Sequence, residues 1–323
     1  MKLAPAIVLS QLWVCMAAAA ADAPEPTETL AWLQKIAAAA GQLNYSGTFV
    51  YQRGDQVETS RITHMVDHGS EYEKLETLDG PKREIIRTPN EVLTYFADTL
   101  LVKREKRTTR KLFPALLPEQ LSGVAEYYQL RKGGPERIAG YDAQALILDP
   151  RDEYRYGHKF WVEDSTGLLL KARMLDEKNR AVEQFAFTQL SINGPLTRDS
   201  VKPSFNVPPD GALPDPAAPS ETGWMVRNPP PGFKKIMEMK RPKRDGQGQI
   251  CHLVFSDGLA AVSVFIEPMP TARKGVDGLS HQGAVNIYTR ALPEHMVTVL
   301  GETPAVTVMQ IANSVSPKNN NNK

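Results

Sequence analysis

Residues 154–193, YRYGHKFWVEDSTGLLLKARMLDEKNRAVEQFAFTQLSING, constrain the fold more than any other part of the chain. They read as three consecutive antiparallel strands, at 156–163, 168–175 and 181–192. The turns between them, Asp164-Ser165-Thr166-Gly167 and Asp176-Glu177-Lys178-Asn179, use residues that tolerate positive φ or hydrogen-bond their own backbone. Side chains alternate between two faces along each strand. Tyr156, His158, Phe160 and Val162 share one face, Gly157, Lys159, Trp161 and Glu163 the other, and Phe185 and Phe187 align on the third strand. Large apolar groups on both faces predict a sheet with a wet convex side and a concave side that covers something. That is a scaffold for binding, and it contains no catalytic constellation.

The rest of the chain extends this sheet. An amphipathic helix at 27–40 carries Leu30, Leu33 and Ala37 on one stripe and needs a sheet to lie on. Strands follow at 45–53, 57–67, 71–77, 83–88 and 91–96 with no helix between them, so the sheet is an antiparallel meander. A strand at 127–130, a turn at Gly133-Gly134 and a strand at 141–148 lead into the opening stretch. The chain has 25 prolines, above the usual ~5% share, and residues 201–223 are rich in Pro, Ala, Asp and Ser. This reads as a semi-rigid linker. Beyond it come a strand at 233–240, a hairpin of 249–256 and 259–267 around Asp257-Gly258, a short helix at 284–291, and strands at 295–300 and 305–312. The expected class is therefore α+β, mainly antiparallel β. The domain plan is a leader (1–21), a large domain (22–200), the linker (201–223), a small α+β domain (224–316) and a disordered polar tail (317–323).

The leader reads as a secretory signal: Lys2, an apolar core from Ile7 to Met16, then alanines that suit cleavage after Ala21. An uncleaved anchor is the alternative. Cys15 leaves with the leader, so Cys251 stands alone, and its alternation with Leu253 and Phe255 predicts a core position. A net charge of +1 gives no global bias toward nucleic acid, which export also disfavours. None of the six histidines sits at metal-ligand spacing, except that His64 and His68 would share a face only on a helix. Ser280, in GLSHQG, misses a nucleophile elbow because its second glycine is one position late. No cofactor fingerprint is present, and an enzyme is the minority reading.

One run breaks the strand pattern. Lys103, Arg104, Lys106, Arg107 and Arg110 crowd into 103–111, followed by the apolar FPALLPEQLSG. Two readings stand: a solvated loop, or an anion site beside an apolar flap, which a phosphate-bearing amphiphile would need.

The strings NYSGTFVYQRG, ERIAGYDAQALILDPRDEYRYGHKFWVEDSTGLLLKARMLDEKNRAVEQF and VFSDGLAAVSVFIEP resemble the MucB/RseB family of regulators of envelope-stress sigma factors, nearest its alginate-system branch. The resemblance covers nearly the whole mature chain and implies periplasmic location. It implies a LolA/LolB-like N-terminal half-barrel with covering helices, plus a smaller C-terminal domain. The implied partner is the periplasmic part of a membrane-spanning anti-sigma factor (MucA/RseA-like), shielded from regulated proteolysis until lipid or lipopolysaccharide releases it. A plain lipid or lipoprotein carrier is the alternative, and homo-oligomerisation stays open. On this reading Phe49, Tyr51, Phe185 and Phe187 line the lipid cavity, and the basic run holds lipid headgroups. The apolar hairpin residues Leu253, Phe255, Val262, Val264 and Ile266 either contact the partner or form internal core.

Overall fold

The computed structural model describes residues 26–99, 101–106, 113–117, 121–205, 219–243, 248–269 and 276–318. The leader, the core of the linker (206–218) and the end of the tail (319–323) lie outside that set.

Helix α1 (Pro26–Gln42) buries Leu33, Ile36 and Ala40 along one stripe. An antiparallel sheet of eleven strands follows among the described residues: β1 (Tyr45–Arg53), β2 (Gln56–Asp67), β3 (Ser70–Thr77), β4 (Arg83–Arg87), β5 (Glu91–Phe96), β6 (Leu101–Lys106), β7 (Tyr128–Ile138), β8 (Tyr141–Pro150), β9 (Gly157–Glu163), β10 (Leu169–Leu175) and β11 (Ala181–Ile192). Their order is β6-β5-β4-β3-β2-β1-β11-β10-β9-β8-β7. Two meanders thus meet where β1 pairs with β11, which places the first and last strands of this sheet, in chain order, at its centre. A short helix, α2 (Ser122–Tyr127), precedes β7 and packs beside α1.

Leu33 and Ile36 of α1 and Val124 of α2 join Phe49, Ile62, Leu130, Leu146, Phe160 and Phe187 from six strands in one buried cluster. The sheet therefore curls around the two helices, and each fully buried Leu or Phe contributes about 1.5–3 kcal/mol. Trp161 points to the opposite face, where it is buried against Ala143, Ala145 and Leu170.

In the second domain β12 (Trp224–Val226) pairs with β19 (Val315–Pro317), tying the start of the domain to its end. Its main sheet holds β13 (Lys234–Pro242), β14 (Gln249–Ser256), β15 (Ala261–Pro268), β16 (Gly278–Gln282), β17 (Val285–Leu292) and β18 (His295–Gly301), in the order β13-β14-β15-β18-β17-β16. Helix α3 (Ala305–Asn313) covers one face of it.

Four local expectations are corrected. The helix expected at 284–291 is strand β17, and the strand expected at 305–312 is helix α3. The β-branched residues of AVTVMQIAN favour a strand locally, but Thr307, Val308, Ile311 and Ala312 are the buried ones, a helical stripe that packs on the sheet. Gly133-Gly134 does not reverse the chain. Strand β7 continues through it with an irregularity between Lys132 and Pro135, and the turn comes at Ala139-Gly140, both at positive φ. Residues 103–106 of the basic run are not loop but part of edge strand β6.

Candidate binding face and interdomain clasp

The register of β1 on β11 pairs Phe49 with Phe187 and Tyr51 with Phe185, which sets all four rings on the concave face. That face is not an open cavity. Phe113 inserts among the rings, stacked on Phe185 at 5.4 Å and 7°, with Phe187 at 5.0 Å and Phe49 at 5.3 Å. Phe49, Phe113, Leu117 and Phe187 are buried core, while Tyr51 and Phe185 are half-buried at the rim, stacked at 4.6 Å. Residues 113–117 thus plug the concave face. Putting a carboxylate at Phe187 would bury an unpaired charge and unfold the domain, so Phe113 is the better probe.

The basic run is partly neutralised. Lys103 Nζ lies 2.8 Å from Glu105 and Arg104 Nε 2.9 Å from Glu91. Such exposed pairs are worth at most about 1 kcal/mol and would yield to a phosphate. Arg107 and Arg110 lie outside the described residues, as does the side chain of Lys106.

The hairpin expectation is corrected. Leu253, Phe255, Val262, Val264 and Ile266 are almost fully buried in the core of the second domain, with Val297, Val299, Val308 and Ile311. They cannot touch a partner in this fold. The opposite face of the same sheet carries the half-buried Val254, Phe265, Ile287 and Leu300.

The remaining sequence candidates do not assemble into a site. His64 is buried, stacks on Tyr45 at 4.8 Å and sets Nδ1 2.8 Å from the Leu43 carbonyl, while the exposed His68 pairs with Asp67. Ser280 stands on the exposed strand β16. Cys251 is half-buried instead of fully enclosed, and burial pushes its thiol up, away from thiolate reactivity.

What sequence reasoning missed is the contact between the domains. Arg155, just before β9, has a fully buried side chain. Its Nε and Nη2 donate to the two oxygens of Asp152 at 2.9 Å each, Nη1 donates to Asp257 Oδ2 at 3.0 Å, and Nη2 also donates to the Pro231 carbonyl at 2.6 Å. The guanidinium lies over the rings of Tyr127 at 4.5 Å and Phe233 at 5.4 Å. Asp257 sits in the β14–β15 turn, where its Oδ1 accepts the amides of Leu259 and Ala260. One buried cation thus clasps a turn of the second domain to the first. Gly232 fits only as glycine: its φ is +82° and a Cβ would come within 2.5 Å of Tyr127. Nearby, the Thr307 hydroxyl donates to the Tyr154 carbonyl at 2.6 Å and Asn286 donates to the Tyr156 hydroxyl at 3.0 Å. Arg155 was legible only as a charge between two tyrosines, and nothing local marks it as interior.

A cavity of about 260 Å³ beside the clasp is lined by Asp149, Asp152, Glu153, Arg155, Asp176 and Glu177 among others. Its carboxylates suit no acyl chain.

The rim of the concave face also meets the second domain. Arg53 lies against Gly283, and Glu183, opposite Arg53 on β11, faces Glu302. Burial first, then the Glu302 carboxylate, pushes the Glu183 carboxyl up to about 7, against the lowering effects of the Tyr51 hydroxyl and Arg53. A carboxyl whose folded value exceeds its unfolded one, 4.5, holds more protons folded than unfolded between those values. Stability therefore falls as pH rises through that window. Glu183→Gln should flatten this fall: its urea midpoint should drop less than the wild type's between about pH 5 and about pH 8. Parallel profiles would remove Glu183 from the account.

Two β-domains clamped through a buried guanidinium, one presenting an aromatic-lined face behind a plug, define a two-domain binding protein. The comparisons specify which kind. The chain matches the MucB/RseB N-terminal domain over residues 28–205 and the MucB/RseB C-terminal domain over 218–316, and it belongs to the MucB/RseB family. It is 33% identical to the sigma factor AlgU regulatory protein MucB of Pseudomonas aeruginosa, over 97% of this chain and 96% of that protein. It is 26% identical to the sigma-E factor regulatory protein RseB of Salmonella typhimurium, over 95% and 98%. The MucA/MucB complex structure from Pseudomonas aeruginosa superposes with a TM-score of 0.76 at 31% identity, covering 90% of this chain and 99% of that one. A crystal structure of MucB gives 0.64 at 30% identity, covering 90% and 98%.

Proposed function

We propose that this chain is a periplasmic regulator that binds the periplasmic part of a MucA/RseA-like anti-sigma factor and shields it from regulated proteolysis. The sigma factor then stays inactive until lipid or lipopolysaccharide releases the complex. The observation that carries the reading is that both domains match the MucB/RseB family and that the whole two-domain chain superposes on MucB solved with MucA at a TM-score of 0.76. The partner would rest on surfaces whose relative position the Arg155 clasp fixes. The half-buried Val254, Phe265, Ile287 and Leu300 offer it an apolar face in place of the enclosed hairpin core.

Lipid would enter by displacing Phe113 and Leu117 from the face of Phe49, Tyr51, Phe185 and Phe187, while Lys103 and Arg104, on edge strand β6 five strands away from β1, are headgroup ligands only for a lipid that reaches that edge. Each buried methylene contributes about 0.8 kcal/mol, so several of them offset the loss of the plug. Filling that face bears on its rim, where Tyr51, Arg53 and Glu183 adjoin the second domain. If lipid favours a different domain angle, it weakens the partner by the factor by which the partner weakens lipid. Capture from an envelope extract tests the reading. The full mature chain should retain one membrane-spanning anti-sigma factor, and lipopolysaccharide should elute it. Retention of many lipidated proteins and no anti-sigma factor would mean a carrier.

A further inference from the structure

The convex face of the first domain, turned away from the plug, holds a cluster that the regulatory reading does not use. Lys159 and Trp161 on β9 lie beside Arg173 and Lys171 on β10, with Lys159 directly opposite Arg173 and Trp161 opposite Lys171. Like charges directly opposite on neighbouring strands are destabilising. Here three cations converge on one ring: Lys159 Nζ and Lys171 Nζ are each 4.4 Å from the Trp161 centroid, and the Arg173 guanidinium is 5.4 Å away. Trp161 is buried beneath them, so the ring anchors the cations and offers no open face to a ligand.

The counter-charge is short. Lys159 pairs with Glu136 at 3.2 Å, and Arg173 spends Nε and Nη2 on the neutral Gln184 Oε1 at 2.9 and 2.6 Å. Lys171 has no ion pair or hydrogen bond among the described residues, only the ring. The buried indole N–H of Trp161 meets no partner in hydrogen-bond geometry, although with Lys159 it holds the Glu136 carboxyl below its ordinary range. Three cations therefore face one carboxylate. A solvated surface would let such charges splay apart, yet here they are gathered and half-buried.

We propose that Lys159, Lys171 and Arg173, gathered over Trp161 on the convex face, form a binding site for a phosphate group, borne by a lipid headgroup or by a soluble phosphate ester. A phosphate offers several acceptor oxygens, enough to take the free donors of both lysines and the remaining N–H of the guanidinium at once. It would also cancel the cross-strand repulsion. The site is independent of the plugged concave face, and lipid bound there would leave it open.

Lys171 reports on its own occupancy. Burial first, then Arg173 and Lys159, holds its amine below the usual lysine value, so it carries more reactive free base than an exposed lysine. The test is acetylation of the full mature chain, followed peptide by peptide by mass spectrometry, with the exposed Lys202 as internal reference. Glycerol phosphate should slow modification of Lys171 several-fold and leave Lys202 unchanged, while sodium chloride of equal ionic strength should not. Arg173→Gln should remove most of the protection, and Arg173→Lys should restore part of it. Phosphatidylglycerol vesicles, set against phosphatidylcholine vesicles that expose no net charge, identify the source. Protection by both glycerol phosphate and the anionic vesicles supports a site open to lipid headgroups; protection by glycerol phosphate alone supports one for soluble esters. Equal rates in phosphate and chloride, or protection by vesicles alone, would overturn the proposal in favour of a merely cationic surface.

Discussion

Arg155→Ala should be the most damaging single substitution in the interface between the domains. It removes one partner of a buried ion pair and leaves Asp257, itself fully buried, with an uncompensated charge. Breaking such a pair costs about 3–5 kcal/mol, a large share of the ~5–15 kcal/mol that stabilises a typical domain. The Tyr127 and Phe233 rings would lose their cation as well. Thermal unfolding should move toward two transitions, because the domains lose the buried ion pair between them and keep only the smaller contacts of Thr307, Asn286 and the Arg53 rim. Arg155→Lys should rescue little, since an ammonium cannot span both Asp152 oxygens, Asp257 and the Pro231 carbonyl. Neutralising the orphan should help: Arg155→Met combined with Asp257→Asn, which keeps the turn's acceptor, should be more stable than Arg155→Met alone. Equal stability of those two would mean that the charge on Asp257 is not what the guanidinium answers. Partner affinity measured on the same proteins separates two roles. A loss beyond that of an equally destabilised core variant ties the clasp to regulation, and no such loss makes it purely structural.

Phe113→Ala should have the second largest effect, and its two consequences run in opposite directions. Truncating a buried Phe costs about 3–5 kcal/mol when the surroundings cannot collapse. The segment at 113–117 lies over the sheet instead of within it, so partial collapse should bring the loss to the lower end. Lipid binding should improve at the same time, because an acyl chain no longer has to displace a ring worth about 1.5–3 kcal/mol of burial. The expected gain is about tenfold or more in affinity for a fluorescent fatty acid, since 1.4 kcal/mol is a factor of ten. If the affinity is unchanged while stability falls, lipid does not use the face of Phe49, Tyr51, Phe185 and Phe187. Stability and affinity both unchanged would mean that Phe113 is not a plug at all.

Much of the first domain was written locally. The strands at 45–53, 156–163 and 181–192 alternate strongly, and Asp164 to Gly167 and Asp176 to Asn179 force the chain to reverse. Period grouped Phe49 with Tyr51 and Phe185 with Phe187 and made the concave face the expected one. A one-residue slip would have swapped the faces, and it is the β1–β11 register that sets the four rings together. The second domain was less legible. Val285–Leu292 and Ala305–Asn313 both mix β-branched residues with small ones, and over eight or nine residues neither period dominates. Packing decided between them: α3 lies where the sheet needs a cover, and β17 lies where β18 needs a partner.

The sequence by itself determined an antiparallel two-domain protein with an aromatic strand face, because alternation, turn residues and a proline-rich linker are local properties that a few neighbouring side chains express. It did not determine what fills that face, which depends on Phe113 folding back across a pairing of distant strands. Nor could it separate the hairpin's buried side from a docking side, since an apolar residue in a β-ribbon looks the same whether helix α3 or a partner covers it. The clasp belongs wholly to the tertiary structure. Asp257 was placed correctly between the hairpin strands, although the loop spans 257–260 instead of two residues, and its second role requires Arg155, 102 residues earlier in the chain. A charged residue is placed inside a protein only by the partners that meet it there, and those partners come together only when the two domains do.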